Sequence, residues 1–108
     1  MGVETVLSAG DMSADITSDT IKNFTEDSIA VQCVFTGSPV GTLEYQGSLN
    51  DSDWYNLEAE VVIDAAANVI FGLRDDYQNV PFTRVFFDKY AASTGSLTIY
   101  ASKRVSGR

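Results

Sequence analysis

Two alternating runs of residues near the end of the chain restrict its fold more than any other feature. They span Thr83 to Ala101 and are joined by a turn rich in Ala, Ser, Thr and Gly. Because successive side chains of a strand point to opposite faces, Val85 and Phe87 lie together on one face of the first run. The opposite face also carries large side chains, namely Phe82, Arg84, Phe86 and Asp88. The pattern predicts a β-hairpin whose first strand has side chains to bury on both faces, although a small domain has only one interior.

Short alternating runs separated by turn residues recur along the whole chain, and no segment has the periodicity of an amphipathic helix. The predicted strands are approximately Thr5–Ala9, Asp19–Asn23, Ser28–Phe35, Thr42–Ser48, Trp54–Ile63, Asn68–Leu73, Phe82–Asp88 and Ser96–Ala101. Seven to eight short strands without helices predict an all-β fold, an antiparallel, jelly-roll-like β-sandwich. The expected domain organisation is an N-terminal arm or first strand over residues 1–18, a β-sandwich over 19–102 and a basic tail over 103–108.

The same alternation predicts which side chains fill the interior. Cys33 is the single cysteine and shares a strand face with Ile29 and Val31, so we expect a buried, unreactive thiol. Trp54 is expected to anchor the core. The full inward set is Ile21, Ile29, Val31, Cys33, Phe35, Leu43, Tyr45, Trp54, Leu57, Val61, Ile63, Ile70, Val85, Phe87, Leu97 and Ile99.

The composition argues against catalysis. The chain has no histidine, which removes the commonest general base and the commonest zinc ligand. Its single cysteine excludes an internal disulfide and any cysteine-based metal cluster. No feature singles out two of the 15 acidic residues as an acid/base pair. We therefore expect a protein that is not an enzyme and that binds no metal or other cofactor.

The net charge of −8 is unevenly distributed along the chain. The first two thirds are strongly acidic, which argues against nucleic acid as a partner, and a short basic tail beginning at Lys103 and Arg104 ends the chain. This tail is either a solvated terminus or an arm that docks on an acidic neighbour. The apolar runs are too short to cross a membrane, and the N-terminus has no apolar secretion signal.

An acidic turn precedes the only tryptophan. Asp51 and Asp53 resemble the start of a calcium loop, but Trp54 and Tyr55 follow where such a loop needs a glycine turn and further oxygen ligands. The segment Asn50–Asp53 is more simply a hairpin turn whose side chains bond nearby backbone amides. An alternative interpretation is a carbohydrate site, in which Trp54 and Tyr55 stack on sugar rings and Asp51 and Asp53 bind hydroxyl groups.

The face formed by Phe82, Arg84 and Phe86 is the sharpest candidate site. Large aromatic residues and arginine are the residue types enriched in protein interfaces. The alternative is that loops or the N-terminal arm of the same molecule cover this face. With residues at strand ends and in the tail, the predicted interface set is Phe82, Arg84, Phe86, Tyr90, Tyr100, Lys103 and Arg104.

From about Asp19 to Lys103 the chain resembles a group of small virion proteins of tailed bacteriophages. Their shared layout is an alternating strand, a Thr-Gly…Gly-Thr hairpin, a Ser-Asn-Asp…Trp turn and a closing Arg-Val…Ser-Thr-Gly-Ser-Leu-Thr hairpin ending near a lysine. The matching segments here are Ser28–Phe35, Thr36–Gly37 with Gly41–Thr42, Ser48–Asp51 with Trp54, and Arg84–Val85 through Ser93–Thr98 to Lys103. Leu49 splits the Ser-Asn-Asp triplet, and Ser52 replaces the usual turn glycine.

The resemblance implies a β-sandwich structural protein of the phage particle, either a head decoration (cement) protein or a tail component, and it implies no catalytic residues. Its partners would be other virion subunits, such as the major capsid or tail protein, and a homo-oligomer such as a trimer or another ring is expected. The protein would be made in the cytoplasm of the bacterial host and located in the virion. The alternative function is a tail-associated carbohydrate-binding or host-adhesion module.

Overall fold

A computed structural model shows the chain as two antiparallel sheets packed face to face, which confirms the predicted β-sandwich. The structure describes residues 2–22, 28–64, 69–72 and 80–104. Within this part of the chain there are ten strands rather than seven or eight, because three of them are only two residues long. The strands are β1 (Gly2–Asp11), β2 (Ile16–Thr17), β3 (Ile21–Lys22), β4 (Ser28–Thr36), β5 (Val40–Ser48), β6 (Tyr55–Asn56), β7 (Val61–Asp64), β8 (Val69–Gly72), β9 (Phe82–Lys89) and β10 (Ser96–Arg104).

Sheet 1 contains three long strands, and sheet 2 is built around two. Sheet 1 has the order β1-β10-β4-β8. Sheet 2 has the order β2-β9-β5-β6, with β3 also pairing with β9 and β7 also pairing with β5. The expected continuous strand Trp54–Ile63 is therefore wrong, since the chain forms two separate short strands, β6 and β7, along the same edge of β5.

The interior lies between the two sheets and is filled by the inward residues that the alternation predicts. Twelve of the predicted residues are buried, and Leu57 and Val61 pack against them in half-buried positions. The side chain of Ile70 lies outside the described residues. The prediction that Trp54 anchors the core is wrong, because its side chain is half-buried outside the core. The confirmed residues are Ile21, Ile29, Val31, Cys33, Phe35, Leu43, Tyr45, Ile63, Val85, Phe87, Leu97 and Ile99.

The predicted hairpin over Thr83–Ala101 is also wrong. Strand β9 pairs with β5 in sheet 2, whereas β10 pairs with β1 and β4 in sheet 1. The segment between them therefore crosses from one sheet to the other, so Phe87 and Ile99 both lie in the interior, as predicted, but belong to different sheets. The Thr36–Thr42 segment, also expected as a hairpin, makes the same kind of crossing from β4 to β5.

The two crossings pack side by side. The amide of Thr94 donates to the carbonyl of Ser38 over 3.2 Å, and the amide of Val40 donates to the Ser93 hydroxyl over 3.0 Å. Gly37 and Gly95 meet where the crossings touch, and both have positive φ angles, of 84° and 110°. These contacts connect the ends of β4, β5, β9 and β10, and they determine how the two sheets are joined at this end of the molecule.

Ser18 forms hydrogen bonds with β9 at the edge of sheet 2, at a position where neither β2 nor β3 pairs with that strand. Strands β2 and β3 both pair with β9, and the chain between them leaves the ladder opposite Val85. There the Ser18 hydroxyl accepts a hydrogen bond from the Val85 amide over 2.9 Å, and the Ser18 amide donates to the Val85 carbonyl over 2.9 Å. Strand β9, which carries the candidate site, is therefore hydrogen-bonded along both edges.

Candidate functional site

The candidate site is the outer face of sheet 2, defined as the side chains of β9 and its neighbours that point away from the interior. In the antiparallel register Arg84 is paired with Gln46, and Phe86 is paired with Glu44. The inward neighbours Val85 and Phe87 are buried, so these outward side chains lie on the opposite side of the sheet. The predicted residues Phe82, Arg84 and Phe86 share this face, and all three are half-buried.

The guanidinium of Arg84 is held in a defined position on this face. Its central carbon lies 4.1 Å from the centre of the Trp54 ring, and its Nε donates to Gln46 Oε1 over 2.8 Å. Gln46 is itself oriented, because its amide nitrogen lies 3.5 Å from Glu44 Oε1. Among the residues that the structure describes, the terminal amino groups of Arg84 have no hydrogen-bond partner. A cation fixed by stacking and by one hydrogen bond keeps its remaining donors for another molecule.

The turn between β5 and β6 brings Trp54 to Arg84. The Asn50 side-chain oxygen accepts hydrogen bonds from the amides of Ser52 (2.9 Å) and Asp53 (2.8 Å). Asp51 has a positive φ of 60°, a conformation that Asp and Asn tolerate better than most residues. The predicted hairpin turn over Asn50–Asp53 is thus confirmed, and it directs the tryptophan ring over the outside of the sheet instead of into the core.

The four residues predicted for a carbohydrate site do not form one platform. Tyr55 is paired with Gly47, and a Cβ on that glycine would meet Val80 and Leu57 on the inner side of the sheet. The Trp54 ring lies on the outer side against Arg84, so the two rings are on opposite sides of the chain. Asp51 and Asp53 are exposed, and Asp53 accepts a hydrogen bond from the Asn50 amide group over 2.9 Å.

Of the remaining predicted interface residues, one continues this face and the others lie elsewhere. Tyr90 follows β9 on the outer face of sheet 2 and is 45% exposed. Tyr100 lies on the outer face of sheet 1, where it lines a shallow depression of about 220 Å³ together with Val3 and Ala30. The backbones of Lys103 and Arg104 pair with Ile29 and Ser28 at the end of β10, and their side chains lie outside the described residues. The structure therefore brings together Phe82, Arg84, Phe86 and Tyr90 but not the whole predicted set.

Two neighbours of the site, Glu44 and Gln46, were not among the predicted site residues, and Trp54 was predicted only for a carbohydrate site. Glu44 and Gln46 alternate with the buried Leu43 and Tyr45, so the period of two along β5 was the signal that places them on the outer face. Stacking of Trp54 on Arg84 had no such signal, because it depends on the direction in which the Asn50 turn leaves the sheet.

The described residues offer little for redox or metal chemistry. Burial raises the pKa of the Cys33 thiol to about 12, so the side chain is a neutral core residue. Within residues 2–22, 28–64, 69–72 and 80–104, no group of three or more His, Cys, Asp or Glu side chains converges on a possible metal position. No helix in the part of the chain that the structure describes is long and apolar enough to span a membrane.

Comparisons with known proteins give one structural likeness. No protein-family model matches the chain, and no curated protein matches it in sequence. A chain in the structure of infectious bursal disease virus, Gx strain, is similar with a TM-score of 0.41 and 18% sequence identity over 99% of this chain. The match covers 34% of the viral chain, so this protein spans about a third of that chain's length.

Proposed function

We propose that this protein is a non-enzymatic structural component of a tailed-bacteriophage particle, a capsid decoration or cement protein that binds neighbouring virion subunits. The resemblance of residues 19–103 to small phage virion proteins supports the particle as its location. The observation that carries a binding role is the outer face of sheet 2, where a guanidinium held by Trp54 and Gln46 lies between two half-buried phenylalanines.

The residue types on this face fit a binding surface better than a solvated one. Aromatic and arginine side chains contribute most of the energy of typical interfaces, and a few such anchors are enough for a contact of ~1,600 Å² in total. Because Arg84 is already held in place, it loses less conformational entropy when it binds a partner. In a symmetric particle many copies bind at once, so a modest affinity per copy is sufficient.

A carbohydrate-binding site would require a different arrangement of aromatic rings in the same region. A sugar platform needs exposed and roughly coplanar rings, whereas Trp54 and Tyr55 lie on opposite sides of the chain and one face of Trp54 is occupied by Arg84. The geometry therefore favours protein binding over sugar binding.

The proposal is tested by locating the chain in purified phage particles and by rebinding the chain to particles from which it has been stripped. Phe82→Ala and Phe86→Ala each remove an interface anchor, and each is expected to weaken rebinding at least ~10-fold. Leu49→Ala is the matched control, since Leu49 is also apolar but is 68% exposed at the tip of a turn. Absence of the chain from purified particles, or rebinding of both phenylalanine variants at wild-type affinity, would reject the proposal.

A further inference from the structure

The outward residues of β9 and its extension form a row that is chemically symmetric. In order they are Phe82, Arg84, Phe86, Asp88 and Tyr90. Tyr90 belongs to the row because its amide donates to the carbonyl of Val40 over 2.8 Å, which continues the pairing of β9 with β5 by one residue. About the central phenylalanine, an arginine on one side matches an aspartate on the other, and an aromatic residue lies beyond each.

Neither charge at the centre of this row has an ion-pair partner in the part of the chain that the structure describes. Arg84 and Asp88 are four residues apart on one strand, about 13 Å, which is too far for an ion pair. Asp88 is exposed, and its carboxylate has no hydrogen-bond or ion-pair partner among the residues that the structure describes. Arg84 has unused amino groups, as described above. A complementary donor and acceptor are thus displayed on the same face at equal distances from Phe86.

The neighbouring strands extend the same polarity across the sheet. Asp64 on β7 is exposed and is paired with Val40, level with Tyr90 at the acidic end of the face. At the opposite end the Arg84 guanidinium reaches across β5 to Trp54. Glu44 lies level with Phe86 at the middle, and it accepts its hydrogen bond from Gln46, on the cationic side. The outer face of sheet 2 therefore has one cationic end and one acidic end.

We propose that this face binds a second copy of the chain, with the two β9 strands antiparallel and a two-fold axis crossing them at Phe86 in the plane of contact. Arg84 of each copy then faces Asp88 of the other, Phe82 faces Tyr90, and the two Phe86 rings meet at the axis. An axis parallel to the strands would instead place Arg84 against Arg84, so the charges of the β9 row favour the antiparallel arrangement, in which Glu44, level with Phe86, lies beside its own copy. This inference rests on the assignment of the outer face as an interface in the proposed function, and it names the partner.

The arrangement is tested by charge reversal and recombination, with the mass in solution measured by light scattering after chromatography and by sedimentation. The wild-type chain is expected to dimerise as its concentration rises. Asp88→Arg or Arg84→Asp alone places like charges together at two symmetric positions, and each is expected to raise the dimer dissociation constant at least ~100-fold. An equimolar mixture of the two variants restores two opposite-charge contacts and is expected to form a mixed dimer. Glu4→Arg, which changes an exposed acid on β1 in the other sheet, is the matched control and should dimerise like the wild type.

Each outcome decides the proposal. A wild-type chain that stays monomeric at the highest concentration reached, or a mixture that stays monomeric although both variants are folded by circular dichroism, overturns it. If Arg84→Asp does not fold, dimerisation of Asp88→Arg at wild-type affinity overturns it equally. A monomeric chain that still rebinds phage particles rejects the second copy and leaves the proposed function intact, whereas a dimer that is absent from particles rejects the proposed function alone.

Discussion

Arg84 connects the sheet to the turn that follows β5. Its side chain lies across β5, bonds Gln46 and stacks on Trp54, so the tryptophan is half-buried outside the sandwich. A guanidinium stacks on a ring through its face and still donates hydrogen bonds from its edge, which a lysine ammonium does not do. The same two residues therefore hold the turn in place and present a cation on the outer face.

The position of Trp54 leads to a modest expected stability effect. Trp54→Ala removes a half-buried ring and one cation–π contact, so we expect the free energy of unfolding to fall by only about 1–2 kcal/mol. Phe87→Ala, the matched aromatic truncation inside the core, is expected to cost about 3–5 kcal/mol. Urea unfolding followed by circular dichroism measures both, and equal losses would place the tryptophan in the core.

Burial of Cys33 makes its reactivity a probe of folding. Its pKa is raised from 9.0 to about 12 by burial, so the folded protein should resist thiol reagents at pH 8 and react only through unfolding. Because the unfolded thiol ionises first, Cys33 should lower stability as the pH rises from 9 towards 12. Cys33→Ala should remove this part of the pH dependence. Rapid labelling of the folded chain at pH 8 would contradict the expected burial.

At the scale of strands, the two crossings explain which expectations from the sequence fail. The alternation of Val85 and Phe87 with polar or outward residues is the same whether the next strand is a neighbour in the sheet or lies across the interior. Inward faces were therefore predictable, but the partner of β9 was not, because pairing depends on contacts between residues far apart in the chain, such as that between Ser38 and Thr94. The two crossings are consequently where small changes should be costly.

Gly95 is the residue in the crossings that tolerates substitution least. It has a φ of 110°, and a Cβ there would collide with the carbonyl of Thr36. We expect Gly95→Ala to lower the free energy of unfolding by roughly 2–4 kcal/mol, because the backbone is strained and the two crossings must move apart to relieve the collision with Thr36. In Gly10→Ala, the control, the added Cβ would meet only side-chain tips of Leu7 and Ile16, so a loss under about 1 kcal/mol is expected. Thermal unfolding compares the two, and similar losses would show that the crossings are not tightly packed.

At the scale of the whole molecule, the two sheets share one interior and leave two outer faces for other contacts. The period of two is strong enough to predict the fold class and most of the interior from the sequence. It also predicts that Phe82, Arg84 and Phe86 share a face, but not that Trp54 reaches Arg84, because a turn's exit direction has no periodic signal. The partner proposed for that face follows from the positions of its charges, and those positions are known only from the register of β5, β7 and β9.

The excess of acidic residues should make the stability of the molecule depend on salt. With 15 acidic and seven basic residues, repulsion between like charges opposes the compact state at neutral pH. Raising the ionic strength from ~0.01 M to ~0.15 M shortens the screening length from roughly 30 Å to roughly 8 Å, so the melting temperature should rise by about 2–4 °C. Circular dichroism melts at a concentration where the chain is monomeric measure this effect. A variant with Asp51→Asn and Glu60→Lys, both at exposed positions, should respond less to salt. A melting temperature that falls with salt would instead mean that attractive ion pairs outweigh the repulsion.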